Sequence, residues 1–84
     1  MSYTLFYEIN NKIYNVDELR HSVGELLYQL NEDYEPQQRI ELTKEHIPNL
    51  KTLKEEDWSE HSADSFTQII NDIEKFGSVE VWLE

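Results

Sequence analysis

The sequence predicts a single small acidic α/β domain over residues 1–84: a three- or four-stranded sheet with two main helices and a short third helix packed on it. Three observations carry this. Stretches of period-two alternation stand near both ends of the chain, the pattern of half-buried strands. Two longer stretches repeat apolar residues at the 3.6 period of a helix. Strand-like and helix-like stretches also alternate, an order that favours helices layered on a sheet.

Taken in order, residues 3–9 are β-branched and aromatic-rich. Leu5, Tyr7 and Ile9 share one face, and Thr4, Phe6 and Glu8 share the other. Asn10-Asn11 signals a turn, because Asn tolerates positive φ. Residues 12–14 either pair back as a two-residue hairpin or form a loop into the next helix, and the hairpin is preferred. A helix is predicted over residues 16–31, with Asn15 as N-cap and Glu18 at the capping-box spacing. Val16, Leu19, Val23, Leu26, Leu27 and Leu30 form its buried stripe. Gly24 lies mid-helix, at a cost of about 1 kcal/mol relative to Ala, and suits close packing against a strand.

Glu32-Asp33-Tyr34-Glu35-Pro36 breaks that helix, since the residue before proline favours extended backbone. Residues 39–43 alternate as a short strand. Thr43 or Asn49 caps a short helix carrying Ile47, Leu50 and Leu53, and Pro48 limits where it can start. Residues 54–61 are the most polar and read as a loop or frayed helical turn. Phe66, Ile69, Ile70, Ile73 and Phe76 then form one apolar stripe. Ser62 caps this last helix, with Asp64 at the positive end of its dipole. Gly77 stops it, because glycine takes a left-handed backbone freely. In the closing strand, Val79, Val81 and Leu83 alternate with Glu80, Trp82 and Glu84. Trp82 thus falls on the face opposite the apolar residues. It either packs beneath another element or stands exposed as a contact residue.

The chain has no cysteine, which excludes a disulfide framework, a thiolate metal site and a cysteine nucleophile, and fits a reducing compartment. Met1-Ser2-Tyr3-Thr4 lacks a basic n-region and a long apolar run, so no signal peptide is expected. No window has the roughly 18–20 apolar residues of a membrane span. A cytoplasmic protein is expected.

Eighteen acids stand against seven bases, a net charge of −11 spread along the chain. Such a field repels nucleic acid and anionic membrane and attracts basic surfaces. One reading is solubility; the other is a binder of a basic partner. Two acidic clusters carry aromatic residues: Glu32-Asp33-Tyr34-Glu35, and Glu55-Glu56-Asp57-Trp58-Ser59-Glu60. Tyr and Trp are favoured interface anchors, and surrounding charge steers a basic partner in. Alternatively, Tyr34 and Trp58 cap the core as amphipathic lids.

No catalytic signature appears. With two glycines in total, there is no phosphate-cradling loop and no glycine-bracketed serine. His21 and Glu25 stand four apart and could both touch a metal, but a zinc site wants three or four convergent ligands. His21, His46 and His61 read as surface histidines. No metal, no cofactor and no enzymatic activity are expected.

Two segments resemble the barstar-like ribonuclease inhibitors, small acidic α/β proteins that neutralise a secreted ribonuclease inside the producing cell. Ile9-Asn10-Asn11-Lys12-Ile13, then Val16-Asp17-Glu18-Leu19 and Glu25-Leu26, looks like that family's first strand and helix. Ala63-Asp64-Ser65, then Gln68, Ile69, Ile70 and Asp72, with Gly77 before an alternating strand, looks like its last helix and strand. Together they cover roughly half of the chain. The resemblance implies a non-enzymatic inhibitor, with Asp72 matching an interface acid. The family's inhibitory helix and loop have no full counterpart: residues 27–38 hold Tyr28, Glu32, Asp33, Tyr34 and Glu35, but no glycine and too little length.

The expected function is therefore an inhibitor or immunity-type protein that blocks a basic partner, such as a nuclease or toxin, by charge complementarity. The expected contact residues are Glu32, Asp33, Tyr34, Glu35, Glu55, Glu56, Asp57, Trp58, Glu60, Asp72 and Trp82. A nucleic-acid mimic blocking a DNA-binding defence or regulatory protein is the first alternative. A module that self-associates through strand edges or exposed aromatics is the second.

Overall fold

A computed structural model describes residues 3–57 and 60–84. The chain runs β1 (Leu5–Ile9), β2 (Lys12–Asn15), a 3-10 turn (Asp17–Leu19), α1 (Arg20–Leu30), β3 (Ile40–Thr43), a second 3-10 turn (Lys44–His46), α2 (Ile47–Glu56), α3 (Glu60–Phe76) and β4 (Ser78–Leu83). The four strands form one antiparallel sheet in the order β2-β1-β4-β3. This is the expected small α/β fold, with α1 and α3 as the main helices and α2 as the short third.

The hairpin is the form taken by residues 9–15. Asn10 and Asn11 have φ of 52° and 63°, the twin left-handed conformation of a type I′ turn. That turn sets Tyr7 opposite Tyr14 and Glu8 opposite Ile13. The last strand enters between β1 and β3, pairing Tyr7 with Val81 on one side and Leu42 with Val79 on the other. β4 is therefore central, and the two short strands are the edges.

Side chains of one sheet face build the core. Leu5, Tyr7, Leu42, Val79, Val81 and Leu83 meet Leu19, Val23 and Leu27, Leu50 of α2, and Phe66, Ile69 and Ile73 of α3. All the helices contribute from this side. Gly24 is buried where α1 crosses β4, and an added Cβ there would meet Leu83 Cδ1 at 3.4 Å. Leu83 of the closing strand thus packs over Gly24, at a distance that leaves room for a Cβ.

Helix starts depart from the expected ones. Asn15 belongs to β2, and Val16 precedes the 3-10 turn without a side-chain capping hydrogen bond. Chain pairing wins over capping here, because the Val16 N–H donates to the Leu5 carbonyl. Ser62 is no cap either. The last helix begins at Glu60, and Ser62 is buried in its first turn. Of the two caps expected for the short helix, Asn49 lies inside α2, while Thr43 is the N-cap of the second 3-10 turn that leads into it, forming a capping box with His46 in which the Thr43 N–H donates to His46 Nδ1 at 2.9 Å. Residues 54–56 complete α2, and Glu60 and His61 open α3, so the polar stretch is more helical than expected. Leu30 and Phe76, expected in the core, are exposed. Each lies at the last position of its helix, where the stripe has turned past the sheet.

Gly77 has φ of 94° and donates its N–H to the Ile73 carbonyl at 2.7 Å, the glycine stop that was expected. The Ser65 hydroxyl donates to Glu18, tying α3 to the turn before α1. That bond is the main cause of a Glu18 carboxyl held below its ordinary range.

Candidate functional site

With the helices gathered on one side, the other face of the sheet is left without a helical layer among the described residues. The strand register arranges its side chains in two rows. One row holds Ile13, Glu8, Glu80 and Glu41, paired in turn across β2, β1, β4 and β3. The next holds Asn15, Phe6 and Trp82, and Arg39, one residue before β3, continues it. Three glutamates from three adjacent strands therefore stand side by side. Like charges opposite one another weaken a sheet, so this row is maintained against a local cost.

Arg39 offsets part of that repulsion. Its Nη1 lies 3.3 Å from Glu8 Oε1 and 3.2 Å from Glu80 Oε2. The Glu80 hydrogen bond first, then the Glu8 charge, hold the guanidinium proton more tightly than in a free arginine. The guanidinium carbon also sits 4.1 Å from the centroid of the Trp82 ring, a cation–π contact. From the other side Phe6 stacks on Trp82 with centroids 5.8 Å apart and planes at 16°. The indole N–H donates to Glu84 Oε2 at 3.1 Å.

Trp82 is consequently only 4% exposed, although among the described residues no helix covers it. The exposed reading is therefore corrected: the ring is buried, though not beneath a helix among the described residues. It is sealed by side chains of its own sheet face, Phe6 and Arg39, rather than by a packed helical layer. Beside the glutamate row, Glu8, Asn10, Glu41, Ser78 and Glu80 line a polar hollow of about 320 Å³.

The expected contact residues are dispersed around the molecule. Glu32, Asp33 and Glu35 are exposed in the loop between α1 and β3. Tyr34, from the same loop, is buried at 4% exposure, with its hydroxyl accepting the Leu83 N–H at 2.9 Å. It is the core lid of the two readings. Burial raises its hydroxyl pKa above the ordinary value, more than the Leu83 bond lowers it. Its ring meets that of Tyr28 edge-on at 5.2 Å. Glu55 and Glu56 are exposed in the last turn of α2, and Asp57 closes that helix, its N–H donating to the Leu53 carbonyl. Glu60 is exposed at the start of α3. Trp58 lies outside the described residues.

Asp72 is half-buried and accepts a hydrogen bond from the Tyr7 hydroxyl at 3.3 Å. Gln68 donates to that same hydroxyl. Burial first, and then the Asp72 carboxylate, push the Tyr7 pKa well above its ordinary value. Asp72 therefore supports a core tyrosine on the helical side of the sheet, and Trp82 lies on the opposite side. The two do not share a surface.

Sequence reasoning missed Phe6, Glu8, Arg39, Glu41 and Glu80 as members of one surface. A signal was present: three of the four strand-like stretches carry an acid on the same parity as an aromatic or arginine, Glu8 with Phe6, Glu41 with Arg39 and Glu80 with Trp82. What was lacking was the register that brings those parities side by side. A second hollow, of about 420 Å³, opens beside α1 between Tyr3, Arg20, Tyr28 and Leu83. Among the described residues no helix is long and apolar enough to cross a membrane. No model of a known protein family, no curated protein and no solved structure matches this chain.

Proposed function

We propose that this chain is a non-enzymatic, cytoplasmic acidic binding protein of the inhibitor or immunity type. It blocks a basic partner, such as a nuclease or toxin, by charge complementarity, as the barstar-like resemblance implies. The observation that carries the reading is the uncovered sheet face, where Glu8, Glu80 and Glu41 stand in one row beside Phe6 and Trp82. Carboxylates held on rigid strands can occupy places that a nuclease keeps for substrate phosphates. Aromatic rings next to them supply the apolar anchor that charge alone lacks. The overall charge of −11 speeds the encounter and makes it sensitive to salt.

Two other functions find less support. A nucleic-acid mimic needs carboxylates along an elongated face, and the molecule measures 28 × 27 × 22 Å with no dominant axis. Assembly through strand edges is discouraged by edges of four residues each, carrying Lys12 and Glu41.

The test is a titration of the labelled protein with a short arginine- and lysine-rich peptide, followed by NMR at low and high salt. Shifts confined to Phe6, Glu8, Glu41, Glu80 and Trp82, and lost at high salt, are expected. Shifts scattered over the helical layer, or binding indifferent to salt, would overturn the proposal.

A further inference from the structure

The geometry points to a guanidinium-recognition site on the uncovered sheet face, formed by Trp82, Glu8, Glu80 and Glu41, in which Arg39 is a built-in occupant that an arginine of the basic partner displaces. This inference rests on the binding function proposed above and names the group that is bound.

Arg39 displays the chemistry that the site accepts. Its guanidinium receives an aromatic face from Trp82 and carboxylate oxygens from Glu8 and Glu80. Stacking and carboxylate pairing together distinguish arginine from lysine, whose compact ammonium makes neither a planar stack nor a fork. Yet the occupant is poorly held. A single nitrogen, Nη1, serves both glutamates, so neither contact is the two-bond fork that gives arginine–carboxylate pairs their strength. The Arg39 side chain is 45% exposed, and exposed ion pairs contribute little. Glu41 stands in the same row and has no ion-pair partner among the described residues. An arriving arginine can therefore form the fork that Arg39 does not. Displacement would offer the Trp82 ring and the Glu8 and Glu80 carboxylates to the arriving guanidinium. Intramolecular occupancy also protects the ring and the glutamate row while no partner is bound.

An arginine-bearing partner fits this face by charge complementarity. Glu8, Glu41, Glu80 and Glu84 share the face with Arg39 alone as a counter-charge among the described residues.

Two variants test it: Arg39→Ala, and Lys51→Ala on the exposed side of α2. Each removes one positive charge, so a general charge effect is common to both. A short arginine-rich peptide is titrated into each and into the wild-type protein, with the indole N–H resonance of Trp82 followed by NMR. Arg39→Ala should bind about threefold or more tighter than Lys51→Ala, the scale of an exposed cation–π contact, and the Trp82 resonance should shift on binding. Equal affinity of the two variants, or an unmoved Trp82 resonance, would overturn the inference. If the wild-type protein still binds the peptide on the sheet face in a salt-dependent way, the acidic-binder reading survives that result. If no basic peptide binds any of the three at low salt, both readings fall.

Discussion

Tyr34 and Tyr7 carry polar burdens that their place in the sequence does not reveal. β3 pairs with β4 only as far as Val81, so the Leu83 N–H has no strand partner on that side. The Tyr34 hydroxyl takes the place of a ladder carbonyl, and Gln37, with φ of 76°, donates its N–H to the Leu83 carbonyl. Tyr34→Phe keeps the ring and orphans a buried N–H, which costs about 1–3 kcal/mol. Urea unfolding should show that loss, while binding of a basic peptide should be unchanged. Tyr7 makes a pH-dependent contribution. Its hydroxyl has a folded pKa raised above the ordinary 10.0 by burial and by Asp72. The neutral form is thus favoured by folding. The associated stability is fully present below about pH 10 and is lost as pH rises further, when the unfolded chain releases the proton first. In Tyr7→Phe the alkaline decline measured by urea unfolding should be shallower. An unchanged decline would count against this role.

Residue-level reading of the sequence failed where a partner distant in the chain decides the outcome. The alternation of residues 79–84 placed Trp82 on the second face correctly. It could not show that Phe6 and Arg39 would close over the ring, because that depends on β1 and β3 flanking β4. Glu32–Glu35 looked like one acidic aromatic cluster. The structure divides it, with Tyr34 drawn inward and its acids left outside.

Among the elements, the closing helix and strand were the most legible. Their periods are long, and Gly77 marks the joint between them. At Gly77 a Cβ would meet nothing within 4 Å, so Gly77→Ala should cost only the left-handed backbone term, about 1–2 kcal/mol. A loss much larger than that in thermal unfolding would mean that the joint also packs. Gly24 offers the contrary case. Its missing Cβ has room of 3.4 Å from Leu83, and Ala is the better helix former by up to about 1 kcal/mol. Gly24→Ala should be neutral or stabilising. Clear destabilisation would mean that Leu83 cannot give way. Helix starts were the least legible elements. Asn15 and Ser62 have capping chemistry, but hydrogen bonding of the neighbouring backbone and burial assign them to a strand and to a first turn.

At the scale of the whole molecule, period and order sufficed for the fold class, because two amphipathic stripes must cover a sheet that cannot stand alone in water. They did not say that all the helices would lie on one side. The helices cover the face that carries Leu5, Tyr7, Leu42, Val79, Val81 and Leu83, and β4 entering between β1 and β3 sets Glu8, Glu80 and Glu41 side by side on the other. The central claim is that this face, not the acidic loops, meets a basic partner. Two triple variants of equal charge decide between them: Glu8→Gln, Glu41→Gln and Glu80→Gln together, against Glu32→Gln, Asp33→Asn and Glu35→Gln together. Calorimetric titration of each with the same arginine-rich peptide at low salt is the direct measurement. The account predicts that the sheet-face variant loses most of the affinity and the loop variant keeps most of it. Equal losses, or a larger loss in the loop variant, would contradict it.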